Sequence, residues 1–347
     1  MSSLRVITLE HGGGGRESWE LLNELVFSKV PNEFKKTLGG LGIDMPDDGA
    51  AIRVGDKYVV LSIDSYTVNP IEFPGGNIGS LAASGSINDV LMMGAKPLAI
   101  MDSVVVEEGF PIGRLDKIMR SFINVALSEG VAVIGGDLKV MPKGSVDGVI
   151  ITTLCVGMAN KLIVDTSLRV NDTIIVTGPI AEHGSVIIAL QMGYEEFIKD
   201  LRSDSRPLTK LMLPLIDRYV DYIRAARDPT RGGIIQILHE WAVATGLTVV
   251  IEREKVPLRE QVRSFLDMLG IDPLNVASEG IAVLAVDSKV ANDVLEFIRG
   301  LGFKEAEIVG KVVKPPSEIA KGKVLVKTEV GGLTIAEPQA SPVPRIC

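Results

Sequence analysis

Residues 77–93, NIGSLAASGSINDVLMM, constrain the fold more than any other stretch. They read as a helix in which Gly, Ala and Ser recur, so its backbone can approach another element closely. Strand signals surround it. AAIRVGDKYVVLSID reads as a hairpin turning at Gly55-Asp56, and PLAIMDSVVVEE, VAVIGGD and DGVIITTLCVGMA read as further strands. Residues 5–9 read as a short strand, 17–29 as a helix stopped by Pro31, and 112–129 as an amphipathic helix ending at Gly130.

The second half begins near Lys161. DTIIVTG is a strand leading through PIAEHGS into a helix, and 195–211 is polar and loop-like. LPLIDRYVDYIRAAR and DPTRGGIIQILHEWAVATG read as helices. TVVIE, GIAVLAV and KVLVKT read as strands, with a helix over SKVANDVLEFIRGLG. Helices mixed with hairpin-linked strands favour an α+β fold over a doubly wound parallel sheet. At 347 residues the chain is too long for one small core. The expected domains are 1–160, 161–335 and a tail over 336–347. That tail, AEPQASPVPRIC, has three prolines and no apolar periodicity. It reads as a semi-rigid arm reaching ~35 Å if polyproline-like at ~3.1 Å per residue.

Composition narrows the partners. Hydrophobic residues make up 46% and aromatics 5%, so aliphatic side chains must fill the cores. The net charge of −8 disfavours nucleic acid and anionic membrane as partners. No apolar run approaches the ~20 residues that span a bilayer. Two cysteines and no secretory leader predict the cytoplasm. Cys155, in an apolar run, is expected to be buried and inert, whereas Cys347 ends the chain, where fraying is expected.

Acidic residues recur at the ends of apolar runs or in glycine-rich turns: Asp47, Asp48, Asp64, Asp89 and Asp137. Each alone is ordinary turn chemistry. Five in one half of a chain point to a Mg²⁺–nucleotide site, because Mg²⁺ takes hard carboxylate and phosphate oxygens. The run His11–Arg16, HGGGGR, could cradle phosphates through its N–H groups, but no Lys-Ser/Thr follows, so it is not a Walker motif. In DPTRGG, Asp228 is expected to cap a helix that Pro229 enters, and Arg231 is a candidate phosphate ligand. His183 follows a strand end and suits either a substrate contact or a structural role. Lys139 and Glu279 alone read as surface or turn residues.

Taken together, DSYTVNPIEFPGGNIGSLAASGSINDVLMMGA (64–95), GGDLKV (135–140), DPTRGG (228–233), ASEG (277–280) and the terminal PRIC (344–347) resemble the hydrogenase maturation family HypE. The matches run in order across nearly the whole chain. Asn77 stands where the resemblance leads one to expect Asp, which puts a metal-ligand role for residue 77 in doubt. The resemblance implies the two-domain aminoimidazole ribonucleotide synthetase-like (PurM-like) fold. Its N-terminal sheet forms a barrel across a homodimer, and its C-terminal domain is an α/β sandwich. It implies ATP and Mg²⁺, with nucleotide contacts from Gly12, Gly13, Gly14, Asp64, Asn88, Asp137 and Arg231. Metal contacts would come from Asp47, Asp48, Asp64, Asp89 and Asp137.

The implied reaction gives the terminal thiol a use. A carbamoyltransferase, HypF, carbamoylates Cys347. ATP-dependent dehydration then yields a thiocyanate, with Glu279 as base and Lys139 as its basic neighbour. The cyano group passes to iron on a HypC–HypD complex, en route to a nickel–iron hydrogenase. The alternatives are a sister enzyme (selenophosphate synthetase, aminoimidazole ribonucleotide synthetase or thiamine-monophosphate kinase) or a passive carrier. Selenophosphate synthetase wants a reactive Cys near the glycine loop, and residues 1–30 contain none. The other two enzymes give Cys347 no use, and a carrier needs no acidic cluster.

Overall fold

The computed structural model describes residues 6–13, 15–328 and 331–347. Two sheets carry the chain. The first is built from β1 (Ala50–Val54), β2 (Lys57–Tyr66), β5 (Lys96–Glu107), β6 (Ala132–Met141) and β7 (Val149–Ala159), in the order β1-β2-β7-β5-β6. A two-residue hairpin, β3 (Glu72–Phe73) and β4 (Gly76–Asn77), stands apart. The second sheet has β8 (Thr173–Val176), β9 (Ile223–Arg227), β10 (Thr248–Glu252), β11 (Val283–Val286), β12 (Glu307–Val313), β13 (Val324–Lys327) and β14 (Leu333–Ala336). Their order is β14-β13-β10-β12-β8-β11-β9. The helices are α1 (Arg16–Leu22), α2 (Ile78–Met92), α3 (Ile112–Ser128), α4 (Glu182–Met192), α5 (Thr209–Tyr219), α6 (Gly233–Thr245), α7 (Glu260–Leu269) and α8 (Ala291–Gly300).

The small-residue helix α2 behaves as its sequence demands. Every residue but Ser80 is buried. A Cβ on Gly79 would lie 2.1 Å from the Ile118 carbonyl of α3, and one on Gly85 would lie 2.2 Å from the Tyr66 hydroxyl of β2. The missing side chains therefore let α2 wedge between α3 and the sheet. Asn77 caps it: its Oδ1 accepts from Gly79 and Ser80 N–H at 2.9 and 3.1 Å, and its Nδ2 donates to Ser121 at 2.8 Å. That is a helix-capping role, and a metal ligand is not required to explain the residue.

The first sheet is covered on one side only. Along β7, alternate residues from Val149 to Cys155 are fully buried under the helices. On the other side Ile63 is 67% exposed, and Ile52, Leu98 and Met158 are also bare. The sheet does not close on itself. Its edge strand β6 shows Ile134, Leu138 and Val140 to solvent.

Several expectations are corrected. Residues 6–8 form no strand and Leu9–Gly12 is a 3₁₀ turn, while Arg5 lies outside the described residues. The helix expected over 213–227 ends at Tyr219. Residues 223–227 instead pair with β11, so tertiary pairing overrides a locally helical pattern. Gly232, at φ +62°, precedes α6, so Asp228 caps nothing. Strand β12, unmarked in the sequence reading, is central to the second sheet. The tail is not a free arm. Thr67 N–H donates to Cys347 O at 3.0 Å, and Asn69 N–H donates to Arg345 O at 3.1 Å.

Candidate active site

The site is assembled from segments that turn towards each other between the sheets. Asp48 lies before β1, Asp64 near the end of β2, Asp89 on α2, and Asp228 and Arg231 in the loop after β9. With Asp47, Arg227, Gln236 and Glu240 they line a cleft of about 160 Å³. Among the described residues, carboxylate oxygens of Asp48, Asp89 and Asp228 lie within 4.8 Å of one another. Asp48 Oδ2 and Asp228 Oδ2 are buried without a hydrogen-bond partner. Burial pushes the carboxyls of Asp48, Asp89 and Asp228 well up, and each is raised further by neighbouring carboxylates. Buried hard oxygens that lack donors and repel each other fit a Mg²⁺ ion, which would reverse the local charge balance.

Two arginines organise this charge. Arg227 is partly buried and bonds Asp48, Asp165 at 2.8 Å and Glu240 at 3.0 Å. It thereby ties β9 of the second sheet to the loop before the first. Arg231 donates to Asp64 at 3.0 Å and also meets the Cys347 thiol. Burial raises the Cys347 thiol to about 11, with Arg231 pulling the other way and Glu279 adding to the rise. Glu279 is 1% exposed and its Oε1 has no partner. Burial first, then Asp228 and Asp204, push its carboxyl well up, while Arg231 opposes them.

The structure sorts the sequence candidates. Asp48, Asp64, Asp89, Arg231, Glu279 and Cys347 converge. Asp47 lines the cleft, but its two oxygens accept the Asp48 and Asp165 N–H groups at 2.9 and 3.0 Å, so it serves the backbone. Asn88 is satisfied inside the chain: Leu208 N–H donates to its Oδ1 at 2.8 Å, and its Nδ2 donates to Arg206 O at 3.1 Å. Asp137 and Lys139 pair with each other at 2.9 Å on the exposed strand β6, away from the cleft lining. Gly12 and Gly13 are exposed and line no part of the cleft, and Gly14 lies outside the described residues. Cys155 is buried, as expected.

Asp228, Arg227 and Asp204 were missed as site residues. Asp228 was read only as a helix cap, and nothing local to it shows that the helix starts later, after Gly232, and leaves the carboxylate in the cleft. Arg227 and Asp204 carry no local signal, because only long-range packing gives them their partners.

With that geometry established, comparison with known proteins is informative. The AIR synthase related protein N-terminal domain matches residues 46–159, and the C-terminal domain of the same description matches 169–323. The chain is 36% identical over 346 residues to a carbamoyl dehydratase HypE of Cupriavidus necator, covering 98% of this chain and 95% of that one. It is 34% identical over 348 residues to that of Escherichia coli, covering 98% and 99%. A crystal structure of a HypE–HypF complex matches with TM-score 0.81 and 33% identity, over 92% of this chain and 99% of that one. One of HypE in complex with ATP matches with TM-score 0.80 and 32% identity, over 99% and 100%.

Proposed function

This chain belongs to the HypE family of AIR synthase-related proteins, and from that premise we propose that it converts a carbamoyl group on its own Cys347 thiol to a thiocyanate, using ATP. The observation that carries the reading is what surrounds Cys347. The terminal thiol meets Arg231 and lies near Glu279, whose buried Oε1 has no partner.

The reaction balances simply. The carbamoyl oxygen leaves within inorganic phosphate, ATP becomes ADP, and the two N–H protons of the carbamoyl group are released as the nitrile forms. A Mg²⁺ ion held by Asp48, Asp89 and Asp228 would neutralise charge on the phosphates. Arg231, anchored by Asp64, donates to the carbamoyl oxygen and favours negative charge there. Glu279 accepts a proton from the carbamoyl nitrogen. A raised carboxyl makes a stronger base than an exposed glutamate, provided that bound cations hold it ionised. The buried walls around Glu279 and Asp228 exclude water that would hydrolyse an activated carbamoyl.

Partners follow from the chemistry and the surface. A HypF-like carbamoyltransferase loads the thiol, as the HypE–HypF structure supports. A HypC–HypD iron carrier accepts the cyano group. A second copy of the chain covers the bare face of the first sheet, closing a barrel. Asp137 and Lys139 then act across that interface, and Gly12 and Gly13 reach the phosphates from their open loop. Among the described residues no helix is long and apolar enough to cross a membrane.

The test is intact mass of the C-terminal peptide after incubation with the carbamoyltransferase, carbamoyl phosphate and ATP. The expected course is a gain of one carbamoyl group on Cys347, then loss of one water. Glu279→Gln should accept the carbamoyl group and stall before water is lost. Thiocyanate formation at the wild-type rate in that variant removes Glu279 from the role of base.

A further inference from the structure

His183 is fully buried at the start of α4, and its ring bridges two segments that the chemistry uses. Nε2 lies 2.8 Å from the carbonyl oxygen of Ile346, the residue before Cys347. A carbonyl only accepts, so Nε2 carries the proton. Nδ1 lies 2.7 Å from Ser203 Oγ, which also accepts the Ser205 N–H at 3.1 Å. The Ser203 hydroxyl therefore donates to Nδ1 and fixes the tautomer. Phe73 packs edge-on against the ring at 5.3 Å, so the imidazole has little freedom to turn.

The next residue, Asp204, holds the other reactant. Its carboxylate accepts N–H groups from His183 at 3.0 Å, from Glu279 at 3.1 Å and from Gly280 at 3.0 Å. A Cβ on Gly280 would lie 1.8 Å from the Asp204 carbonyl oxygen, so the two backbones are in direct contact there. Two adjacent residues, Ser203 and Asp204, thus fix the tail beside the thiol and the backbone of the carboxylate that faces it. Thr67 also holds the tail, donating its N–H at 3.0 Å and its hydroxyl at 3.1 Å to Cys347 O, whereas the remaining side-chain contacts lie further from the thiol or nearer solvent. Gln191 donates to Pro344 O at 2.9 Å, and Arg345 pairs with the exposed Asp147 at 2.5 Å.

We propose that His183, oriented by Ser203, is a positioning residue: it holds the Ile346 carbonyl and so sets the Cys347 thiol in register with Glu279, which Asp204 holds from the same segment. Its meaning for turnover rests on the dehydratase reading above, whereas its effect on the tail does not. The hydrogen bond forms when the tail enters the site and breaks when the thiol leaves to be loaded.

The experiment measures alkylation of Cys347 by iodoacetamide in the full chain, with mass spectrometry of both cysteine peptides. His183→Ala should raise the Cys347 rate about tenfold, the scale of one buried hydrogen bond. His183→Gln, which keeps an N–H donor, should return it close to wild type. Ser203→Ala should fall between. Cys155, whose thiol burial pushes up to about 12, reports unfolding by becoming reactive. If His183→Ala exposes Cys155, Ser203→Ala carries the decision, and an unchanged Cys347 rate there overturns the proposal. So does an unchanged rate in a folded His183→Ala chain.

On a pre-carbamoylated tail, His183→Ala should slow loss of water while ATP affinity stays unchanged. Normal dehydration with a loosened tail overturns the positioning role and leaves the dehydratase reading standing. A wild-type chain that never dehydrates its tail overturns that reading, and the alkylation result stands independently.

Discussion

Two acidic groups in this molecule look alike in sequence and differ in every physical respect once folded. Asp48, Asp89 and Asp228 are drawn into one cluster, with raised carboxyls and two oxygens lacking donors. Asp137 sits on β6 in solvent, where Lys139 holds its carboxyl below the usual range. Gathering the first group costs electrostatic repulsion or extra protons, which a bound cation would relieve. The second is already satisfied, and gains a use only if another chain brings it to a cleft. Desolvation, more than residue type, separates a ligand set from a surface pair.

The sharpest way to break this contrast is to remove one member from each group. Asp228→Ala should weaken Mg²⁺–ATP binding by more than the ~10–100-fold typical of outer-shell changes, read by calorimetry. Asp137→Ala should leave metal-dependent stabilisation of the monomer untouched. Equal losses in the two variants would erase the distinction.

Next in size is the arginine that braces the cluster. Arg227→Ala should destabilise the fold by about 3–5 kcal/mol in denaturant titration, because it strands buried carboxylates. Lys139→Ala should give no measurable change in the same titration. An Arg227→Ala chain as stable as wild type would mean that the buried network does not hold the two sheets together.

A third test asks whether β6 awaits a partner. Leu138→Lys should turn a dimer into a monomer by sedimentation and lower turnover with it. Mixing Asp137→Ala with Asp228→Ala chains should then restore part of the activity that each lacks, since one hybrid site has both groups intact. No recovery on mixing confines Asp137 to its own chain.

The smallest effect is the pH dependence of stability. Asp47 is pushed up to about 7, by burial first and then by Asp165, and the cluster carboxyls shift the same way. The folded state then holds more protons than the unfolded one, so metal-free stability falls as pH rises from ~4 towards 7. Mg²⁺ should flatten that slope in thermal melts. A slope of opposite sign would show that the carboxylates are ionised and stabilised without metal.

Much of the fold was legible locally. The Gly55-Asp56 turn, the amphipathic 112–129 helix and the small-residue helix 77–93 all depend on neighbours in sequence, and they formed as read. The segment 223–227 was not legible, because pairing with β11 decides it. The same divide runs through the site. Aspartates at the ends of apolar runs were visible, but not which of them would lose water.

The sequence alone determined the chemical inventory: carboxylates in glycine-rich turns, a loop at 228–233 carrying one Asp and one Arg, and a single thiol at the last residue. Proline content and the lack of apolar periodicity marked the tail as an extended arm, but it bends over 342–344 and passes through a left-handed Arg345 at φ +56°. Only the tertiary structure decided that this tail folds back against Thr67 and Asn69 and sets its thiol beside Arg231 and Glu279. The physical reason is range. Propensity and periodicity act over a few residues, whereas burial, charge coupling and the bond from His183 to Ile346 join residues more than a hundred positions apart.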